Sequence, residues 1–299
     1  MREIFEEILG KENVFQNEPM KNHTTFKIGG SADWFLMPQN KEQLTQIIAV
    51  IKEAKMPFFV LGNGSNLLVG DKGIRGVVIC LGKQMDNIEI FENECYVESG
   101  ALLSKVANYV QRQGLSGLEF ASGIPGSIGG AVFMNAGAYE HEIKEVIKSV
   151  EYMDKNGEIF TVSNGNCDFG YRTSLFSKND YIVLGCTLTL KADNPCEIRK
   201  RMDDYTSRRT SKQPLEKPSA GSVFKRPVGY FAGALIEQSG LKGYGIGGAQ
   251  VSQKHAGFII NTGNATAKDV LDLIEYIQKV VLENFGVTLE TEVKMIGEF

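Results

Sequence analysis

The chain has 299 residues, a length that predicts two or more lobes and a core large enough to need no disulfide or metal for stability. Its net charge of −4, with acidic and basic residues interspersed, argues against a dedicated nucleic-acid surface and against a polybasic membrane anchor. Five cysteines without a C-x-x-C pair exclude zinc-type spacing and favour reduced thiols in a cytoplasm.

The N-terminal third mixes helices and strands. MREIFEEILGKENV is an acidic amphipathic helix without the apolar core of a signal peptide, and no apolar run approaches the ~20 residues of a membrane span. The strand WFLMP precedes a helix with apolar spacing over 41–54, and PFFVLG is a buried strand. We therefore expect a soluble, cytoplasmic protein.

The remaining elements favour an α+β fold. GVVICL is a strand, a hairpin turns at Glu92-Asn93, a helix covers 101–114, and a second hairpin turns at 155–157 before the strand YIVLGCTLTLK. Composition changes near 193, where a charged helix begins, and a long helix over 267–285 precedes the strand LETEVKMIG. Strands and helices do not alternate regularly, which argues against a doubly wound parallel sheet. We place the main domain boundary near 193.

Glycines are unusually frequent, and they cluster. Thirty-three are present, and the first cluster follows a strand as Gly62, Asn63, Gly64, Ser65 and Asn66. Leu67 stands where a dinucleotide fingerprint needs its third glycine, so a Rossmann fold is rejected. Successive amides in such a loop can form an anion-binding nest, although a plain tight turn explains this loop better when it is taken alone.

A second glycine loop lies in an apolar, small-residued stretch. It comprises Ser122, Gly123, Ile124, Pro125, Gly126, Ser127, Gly129 and Gly130. Two such loops favour a diphosphate held between them over close packing of glycines in a core. Neither loop has the P-loop pattern, and no metal-ligand cluster or nucleophilic dyad is visible, so a cofactor is expected to carry the difficult chemistry.

Three polar segments remain as candidates for chemistry. Arg172 in GYRTSLF must find an anion, either a structural carboxylate or a substrate. Glu290 and Glu292 share one face of LETEVKM, which by itself is typical of a solvated strand face. Ser222 in PSAGSVFKRP is not in a nucleophile elbow, because Ala220 and Phe224 replace its glycines. The cations around this serine are Lys212, Lys217, Lys225 and Arg226, and they indicate an anionic substrate.

These motifs together resemble the UDP-N-acetylenolpyruvoylglucosamine reductase (MurB) family. NHTTFKIGG, GNGSNLLV, GIPGSIGGAVFMNAGAY, YRTSLF, AGSVFKRP, LIEQSGLKG, HAGFIIN and LETEV occur in the family's order, over roughly residues 22–297. The resemblance implies an FAD-binding fold of the vanillyl-alcohol-oxidase (PCMH) type in two subdomains over 1–193, split near 72. It also implies a C-terminal α+β substrate-binding domain over 194–299.

The resemblance further implies roles for residues. It makes Ser222, Arg172 and Glu292 catalytic, assigns both glycine loops to non-covalent FAD, and gives Lys212 and Arg226 contacts to a UDP-sugar substrate. The implied enzyme is a cytoplasmic monomer of peptidoglycan precursor synthesis, without a metal. NADPH reduces its flavin, which passes hydride to an enolpyruvyl group, and the serine supplies the proton. The chain is short between Arg172 and Lys212, so it resembles the variant that lacks an inserted tyrosine segment. Arg226 stands where some relatives have asparagine, which leaves that contact open.

Two alternatives stay open at this stage. An FAD oxidase of a sugar or alcohol would keep the fold and use O₂ as the acceptor. A non-catalytic nucleotide-sugar-binding module would need neither FAD nor the Arg172, Ser222 and Glu292 set. A yellow flavin spectrum, and slow reoxidation of the reduced flavin by air, would distinguish the reductase from both.

Overall fold

The computed structural model describes all residues, Met1–Phe299. It contains eight α-helices: α1 (Arg2–Leu9), α2 (Lys41–Glu53), α3 (Leu103–Arg112), α4 (Ile128–Met134), α5 (Leu175–Asn179), α6 (Pro195–Lys212), α7 (Ala232–Gln238) and α8 (Ala267–Phe285). Its strands are β1 (Val14–Pro19), β2 (Ser31–Leu36), β3 (Phe58–Leu61), β4 (Leu67–Val69), β5 (Ile74–Cys80), β6 (Ile88–Phe91), β7 (Glu94–Glu98), β8 (Leu115–Ser116), β9 (Gly137–Ala138), β10 (His141–Glu142), β11 (Ile147–Met153), β12 (Ile159–Ser163), β13 (Ile182–Thr189), β14 (Lys191–Ala192), β15 (Ser219–Ser222), β16 (Gly245–Ile246), β17 (Ala249–Val251), β18 (Phe258–Asn261) and β19 (Lys294–Ile296).

The chain divides into two compact units that are interleaved in sequence. Unit 1 comprises Met1–Phe15, Trp34–Asn63 and Val77–Arg209, and unit 2 comprises Gln16–Asp33, Gly64–Gly76 and Thr210–Phe299. The chain therefore passes between the units several times, and the last passage falls within α6. The division by function into 1–193 and 194–299 stays a prediction.

Unit 1 is built on a five-stranded sheet with the order β12-β11-β13-β7-β6. All the strand pairs of this sheet are antiparallel. The buried faces of α3 and α4 contribute to one hydrophobic core against β7 and β13, and α1 and α2 contribute to a second core. The helix α2 is amphipathic, since Leu44, Ile47, Ile48 and Ile51 are buried at helical spacing. The unit thus needs no covalent cross-link to hold its layers.

Unit 2 has a single core between a small antiparallel sheet and two helices. The sheet has the order β15-β18-β17-β16, and α7 and α8 pack their apolar residues into the same core. The short strands β19 and β4 pair in parallel, with Lys294 opposite Leu67. A further four-stranded sheet has the order β1-β2-β5-β3, and its strand β3 belongs to unit 1. None of the helices is both long and apolar enough to cross a membrane.

Candidate functional site

The second glycine loop is packed tightly against the start of α3. The amide of Leu103 donates to the carbonyl of Gly126 at 2.9 Å, and the amide of Gly129 donates to the carbonyl of Ser99 at 2.8 Å. A Cβ atom on Gly129 would lie 2.7 Å from the Cβ of Ser99, so only glycine fits there. At the N-cap of α4, the Ser127 hydroxyl accepts from the amide of Gly130 at 3.3 Å. The loop is therefore rigid.

The two glycine loops meet within unit 1. The side-chain amide of Asn63 donates to the carbonyl of Pro125 at 2.6 Å. A Cβ atom on Gly62 would lie 2.4 Å from the Ser127 hydroxyl, so the backbone of Gly62 lies directly against that side chain. By contrast, the Cβ direction of Gly130 meets only the Ser127 hydroxyl, at 3.6 Å. The structure thus brings Gly62 and Asn63 together with the second loop and leaves open backbone beside them.

The rest of the first glycine loop, residues 64–66, belongs to unit 2 and is hydrogen-bonded to the segment around Glu292. The carbonyl of Gly64 accepts from the amide of Thr25 at 3.1 Å. The side chain of Asn66 donates to the carbonyl of Glu292 at 3.1 Å, while its own carbonyl accepts from the amide of Lys294 at 3.0 Å. Ser65, between them, is half-buried. The predicted cofactor residues of this loop therefore fall into two groups with different surroundings.

Ser222 ends the strand β15, which is short and irregular. Its pairing with β18 shifts between Ser219 and Ser222, and Gly221 between them has a φ of 77°. Positive φ at this position favours glycine, because an L side chain would be strained there. The hydroxyl of Thr25 donates to the carbonyl of Ser219 at 2.7 Å, which fixes the start of the strand. The half-buried Ser222 is thus held at a backbone bend.

Glu292 lies beside Ser222 in unit 2. The amide of Glu292 donates to the carbonyl of Val223, the residue after Ser222, at 2.7 Å. Two residues further on, the amide of Lys225 donates to the carbonyl of Glu290 at 2.8 Å, and their side chains form an ion pair. Glu290 is exposed whereas Glu292 is half-buried, so the two carboxylates differ in environment. The structure brings two of the three predicted catalytic residues to neighbouring positions.

Arg172 lies in unit 1, in a loop anchored to the end of α4. The side chain of Asn135 donates to the carbonyl of Gly170 at 2.9 Å, and the hydroxyl of Ser174 donates to the carbonyl of Phe133 at 2.6 Å. Arg172 itself has a φ of 55° and donates to the carbonyl of Gly137 at 3.2 Å. Since the second glycine loop precedes α4, one short helix connects that loop to the anchor of Arg172.

The predicted substrate residues Lys212 and Arg226 are exposed in unit 2. Lys212 is the last residue of α6, and the guanidinium carbon of Arg226 lies 4.0 Å from the ring centroid of Phe231. Their contacts to substrate stay predictions. His255, to which the sequence assigned no chemistry, accepts from the amide of Gly257 at 3.1 Å through Nδ1. Burial lowers the pKa of His255, which favours its neutral form.

Sequence reasoning missed two buried polar residues of this region. Asn135 is fully buried and adopts a left-handed conformation, with a φ of 47°, at the end of α4. The asparagine after the apolar run of α4 was the available signal, since asparagine is a common left-handed helix terminator. Ser99 is 2 % exposed, lies against Gly129, and has no hydrogen-bond partner for its hydroxyl. No sequence pattern marked that serine.

Comparison with known proteins supports both halves of this description. The family model of the "UDP-N-acetylenolpyruvoylglucosamine reductase, C-terminal domain" matches residues 213–296, and the model of an "FAD binding domain" matches residues 32–163. A UDP-N-acetylenolpyruvoylglucosamine reductase from Caldanaerobacter subterraneus subsp. tengcongensis is 54 % identical over 292 residues, which are 98 % of this chain and 96 % of that relative.

Solved structures agree with these matches. The crystal structure of the reductase from Thermus caldophilus has a TM-score of 0.81 and 37 % identity, and the match covers 93 % of this chain and 97 % of that one. A Phl p 4 variant titled a glucose oxidase, with a TM-score of 0.52 and 14 % identity, matches 64 % of this chain and 44 % of its own, and shows the fold alone. The predicted α+β architecture with a PCMH-type FAD-binding fold is confirmed. The chain belongs to the UDP-N-acetylenolpyruvoylglucosamine reductase (MurB) family, as its motifs predicted.

Proposed function

We propose that the chain is an NADPH-dependent flavoenzyme that reduces UDP-N-acetylglucosamine enolpyruvate to UDP-N-acetylmuramate, a step of peptidoglycan precursor synthesis. One observation carries the proposal beyond family membership: Glu292 is hydrogen-bonded through its amide to the residue after Ser222. A serine and a half-buried carboxyl group at neighbouring positions support the roles proposed for these two residues. Neither alternative from the sequence requires this pair.

The residues of the glycine loops fit FAD. Gly130 leaves backbone uncovered by side chains, the backbone of Gly123 is approached only by the side chain of Arg209, and Gly62 and Gly129 pack closely against serines. The unsatisfied hydroxyl of Ser99 lies against the same loop. An uncovered, rigid backbone suits an anionic diphosphate, because amides can approach its oxygens without reorganising. When bound, the flavin supplies the hydride for the reduction, with NADPH as the reductant.

Ser222 holds the proton that the substrate requires. After addition of hydride to the terminal carbon of the enolpyruvyl group, negative charge develops towards the carboxylate, and the α-carbon becomes strongly basic. A neutral hydroxyl, though a weak acid towards water, can donate its proton to such a carbon. Ser222 therefore needs no histidine base, and its position at a fixed bend orients the hydroxyl.

Arg172 and Glu292 stabilise the charge that develops on the carboxylate. The guanidinium of Arg172 donates two parallel hydrogen bonds to it, and one preorganised donor of this kind is typically worth ~2.7–4 kcal/mol. Glu292 contributes when it is protonated or bonded to the carboxylate through another donor. The half-buried position of Glu292, in contrast to the exposed Glu290, is consistent with this role.

The test is Ser222→Ala, with Ser219→Ala as a matched control in the same strand. We expect Ser222→Ala to bind FAD and to accept electrons from NADPH at the normal rate, but to lose several orders of magnitude in turnover of the enolpyruvyl sugar. Stopped-flow absorbance of the flavin separates these two half-reactions. A loss smaller than tenfold would refute the proton-donor role.

The remaining parts of the proposal concern partners and location. Lys212 and Arg226 are cations suited to the diphosphate of the UDP moiety. We propose a monomer that works in the cytoplasm, where NADPH and nucleotide sugars are available. Reduction of the flavin by NADPH followed by rapid reoxidation in air, with no effect of the enolpyruvyl sugar, would instead favour the oxidase alternative.

A further inference from the structure

One arginine of α6 differs from the others of that helix. Arg199 pairs with Asp203 at 2.9 Å, Arg201 with Glu119 at 2.8 Å, and Arg208 with Asp204 at 2.7 Å. Arg209 is half-buried and forms neither an ion pair nor a hydrogen bond. Each of these exposed arginines therefore has a carboxylate partner, whereas the arginine that is withdrawn from water has none.

A withdrawn guanidinium without a counter-charge is unfavourable. Burial lowers the pKa of Arg209, and the only opposing influence is the hydroxyl of Tyr139. That hydroxyl donates to the carbonyl of Tyr205 at 3.0 Å, and the centroids of the two stacked rings lie 4.5 Å apart. Tyr139 is therefore a neutral side chain held in place by Tyr205, and it is not an ionic partner of Arg209. Buried charges in proteins are normally paired, and an exception indicates a site that awaits an anion.

The surroundings of Arg209 identify where that anion would lie. A Cβ atom on Gly123 would be 2.9 Å from the Cδ of Arg209 and 3.8 Å from one of its guanidinium nitrogens. The side chain of Arg209 thus passes directly over the backbone of the second glycine loop, where the absence of a side chain on Gly123 leaves room for it. The loop that the proposed function assigns to FAD is the surface that this guanidinium faces.

We propose that Arg209 binds an anionic oxygen group of FAD at the second glycine loop. This inference rests on the proposed function and adds a cationic residue, from outside both glycine loops, to the cofactor site. Two parts of FAD carry suitable charge: the diphosphate, and the N1–C2 carbonyl edge of the reduced flavin ring. The planar fork of a guanidinium can donate two hydrogen bonds to either one.

The test compares Arg209→Gln and Arg209→Lys with Arg208→Gln, which removes the same charge from the adjacent, exposed position. The dissociation constant of FAD is measured by flavin fluorescence on dilution of the holoenzyme. We expect it to rise about ten- to hundredfold in Arg209→Gln, as is typical for a hydrogen bond to a charged group, less in Arg209→Lys, and not at all in Arg208→Gln.

Two further measurements locate the contact. If Arg209 binds the diphosphate, ADP competes with FAD more weakly in Arg209→Gln than in the wild type, and the midpoint potential of the flavin is unchanged. If it binds the flavin ring, competition by ADP is unaffected, and the midpoint potential falls because a cation that favours the anionic reduced ring has been removed.

The outcome that overturns the inference is an Arg209→Gln protein whose FAD dissociation constant and midpoint potential both equal those of the wild type. Thermal unfolding of the apoprotein shows whether Arg209→Gln acts only by destabilising the fold. Removal of an unpaired, half-buried cation should leave the apoprotein as stable as the wild type or more stable, so a marked loss of apoprotein stability also overturns it. A wild-type protein that binds no FAD refutes the proposed function itself.

Discussion

Arg172 has a backbone conformation that is uncommon for its residue type. Its φ of 55° lies in the left-handed region, as does the φ of 47° at Asp168 in the same loop. Left-handed conformation costs an L residue roughly 1–2 kcal/mol, and the surrounding contacts must offset it. Here Asn135 and Ser174 hold the loop from both sides of Arg172. Strain that is maintained by dedicated hydrogen bonds is typical of positions at which a side chain must point in one direction.

We predict that Arg172→Lys is severely impaired. Lysine keeps the charge but cannot donate two parallel hydrogen bonds to a carboxylate, so turnover of the enolpyruvyl sugar should fall by about 10²–10³. Steady-state kinetics and the FAD dissociation constant are the measurements, and FAD binding should be unchanged. Arg112→Lys, at the exposed end of α3, is the matched control. Near-normal turnover would make Arg172 a structural residue.

At the residue scale, the sequence predicted residue types better than residue geometry. Gly62 and Gly129 were predicted to bind the cofactor, which stays a prediction, and the structure shows each of them packed against a serine of the protein. The left-handed conformation of Arg172 and the anchoring by Asn135 were not foreseen, because both depend on contacts between segments distant in sequence. Arg209 could not be singled out from the sequence for the same reason, because its unusual feature is the lack of a partner in the folded structure.

The helix α8 shows how one element is fixed at both ends. Thr266 and Asp269 form a capping box, and Gly286 ends the helix with a φ of 68°. A distant carboxylate adds to this: Asp71 accepts from the amide of Ala267 at 2.8 Å and from that of Lys268 at 3.0 Å. These are amides of the first helical turn, which have no partner within the helix, so Asp71 both satisfies them and complements the helix dipole.

We predict that Asp71→Ala lowers the free energy of unfolding by about 1–2 kcal/mol, the usual cost of removing a capping group. Asp272→Ala, in the same helix, removes a half-buried carboxylate that pairs with the exposed Lys268, and serves as the control. It should change stability by less than about 0.5 kcal/mol. Urea denaturation measures both. Equal effects of the two substitutions would contradict the capping role of Asp71.

At the element scale, helices with strong periodicity were predicted well and short strands poorly. The long helix was placed at 267–285 and found there, since the capping box and the terminal glycine mark its ends. The segment LETEVKMIG was expected to be one strand, but only Lys294–Ile296 forms one. Its first part is instead held by single hydrogen bonds to Val223 and Lys225, and alternation alone could not reveal that.

At the scale of the whole molecule, the cysteines are divided between protected and accessible positions. Burial raises the pKa of Cys80 and of Cys167 to about 11 and that of Cys95 to about 12, and it raises the pKa of Cys186 as well. Cys196, in the first turn of α6, is exposed. All five thiols are free, but four are kept in the unreactive protonated form by their surroundings.

We predict that the native protein exposes one reactive thiol to a disulfide reagent such as DTNB at pH 8. Colour development should show one fast equivalent, which is lost in Cys196→Ser, and all five thiols should react in guanidinium chloride. A second fast equivalent that arises from Cys95, Cys167 or Cys186 would show that the buried positions open readily, contrary to their packing.

The interleaving of the units is the part of the architecture that the sequence did not predict. A boundary near 193 was expected from the change in composition, whereas residues 16–33 and 64–76 belong to the same unit as the C-terminal region. Composition and periodicity describe neighbours along the chain. They carry no signal for the parallel pairing of β19 with β4, which joins the second and third segments of unit 2.

The interleaving of the two units determines the order in which the ribosome synthesises their parts. Every residue of unit 1 precedes Thr210, so that unit can fold on the nascent chain. Phe26, Ile28 and Leu68 belong to the core of unit 2, and most of that core is synthesised after residue 220. At ~5–20 residues per second, these early apolar segments wait several seconds or more for their partners. We expect them to be where chaperones engage the emerging protein.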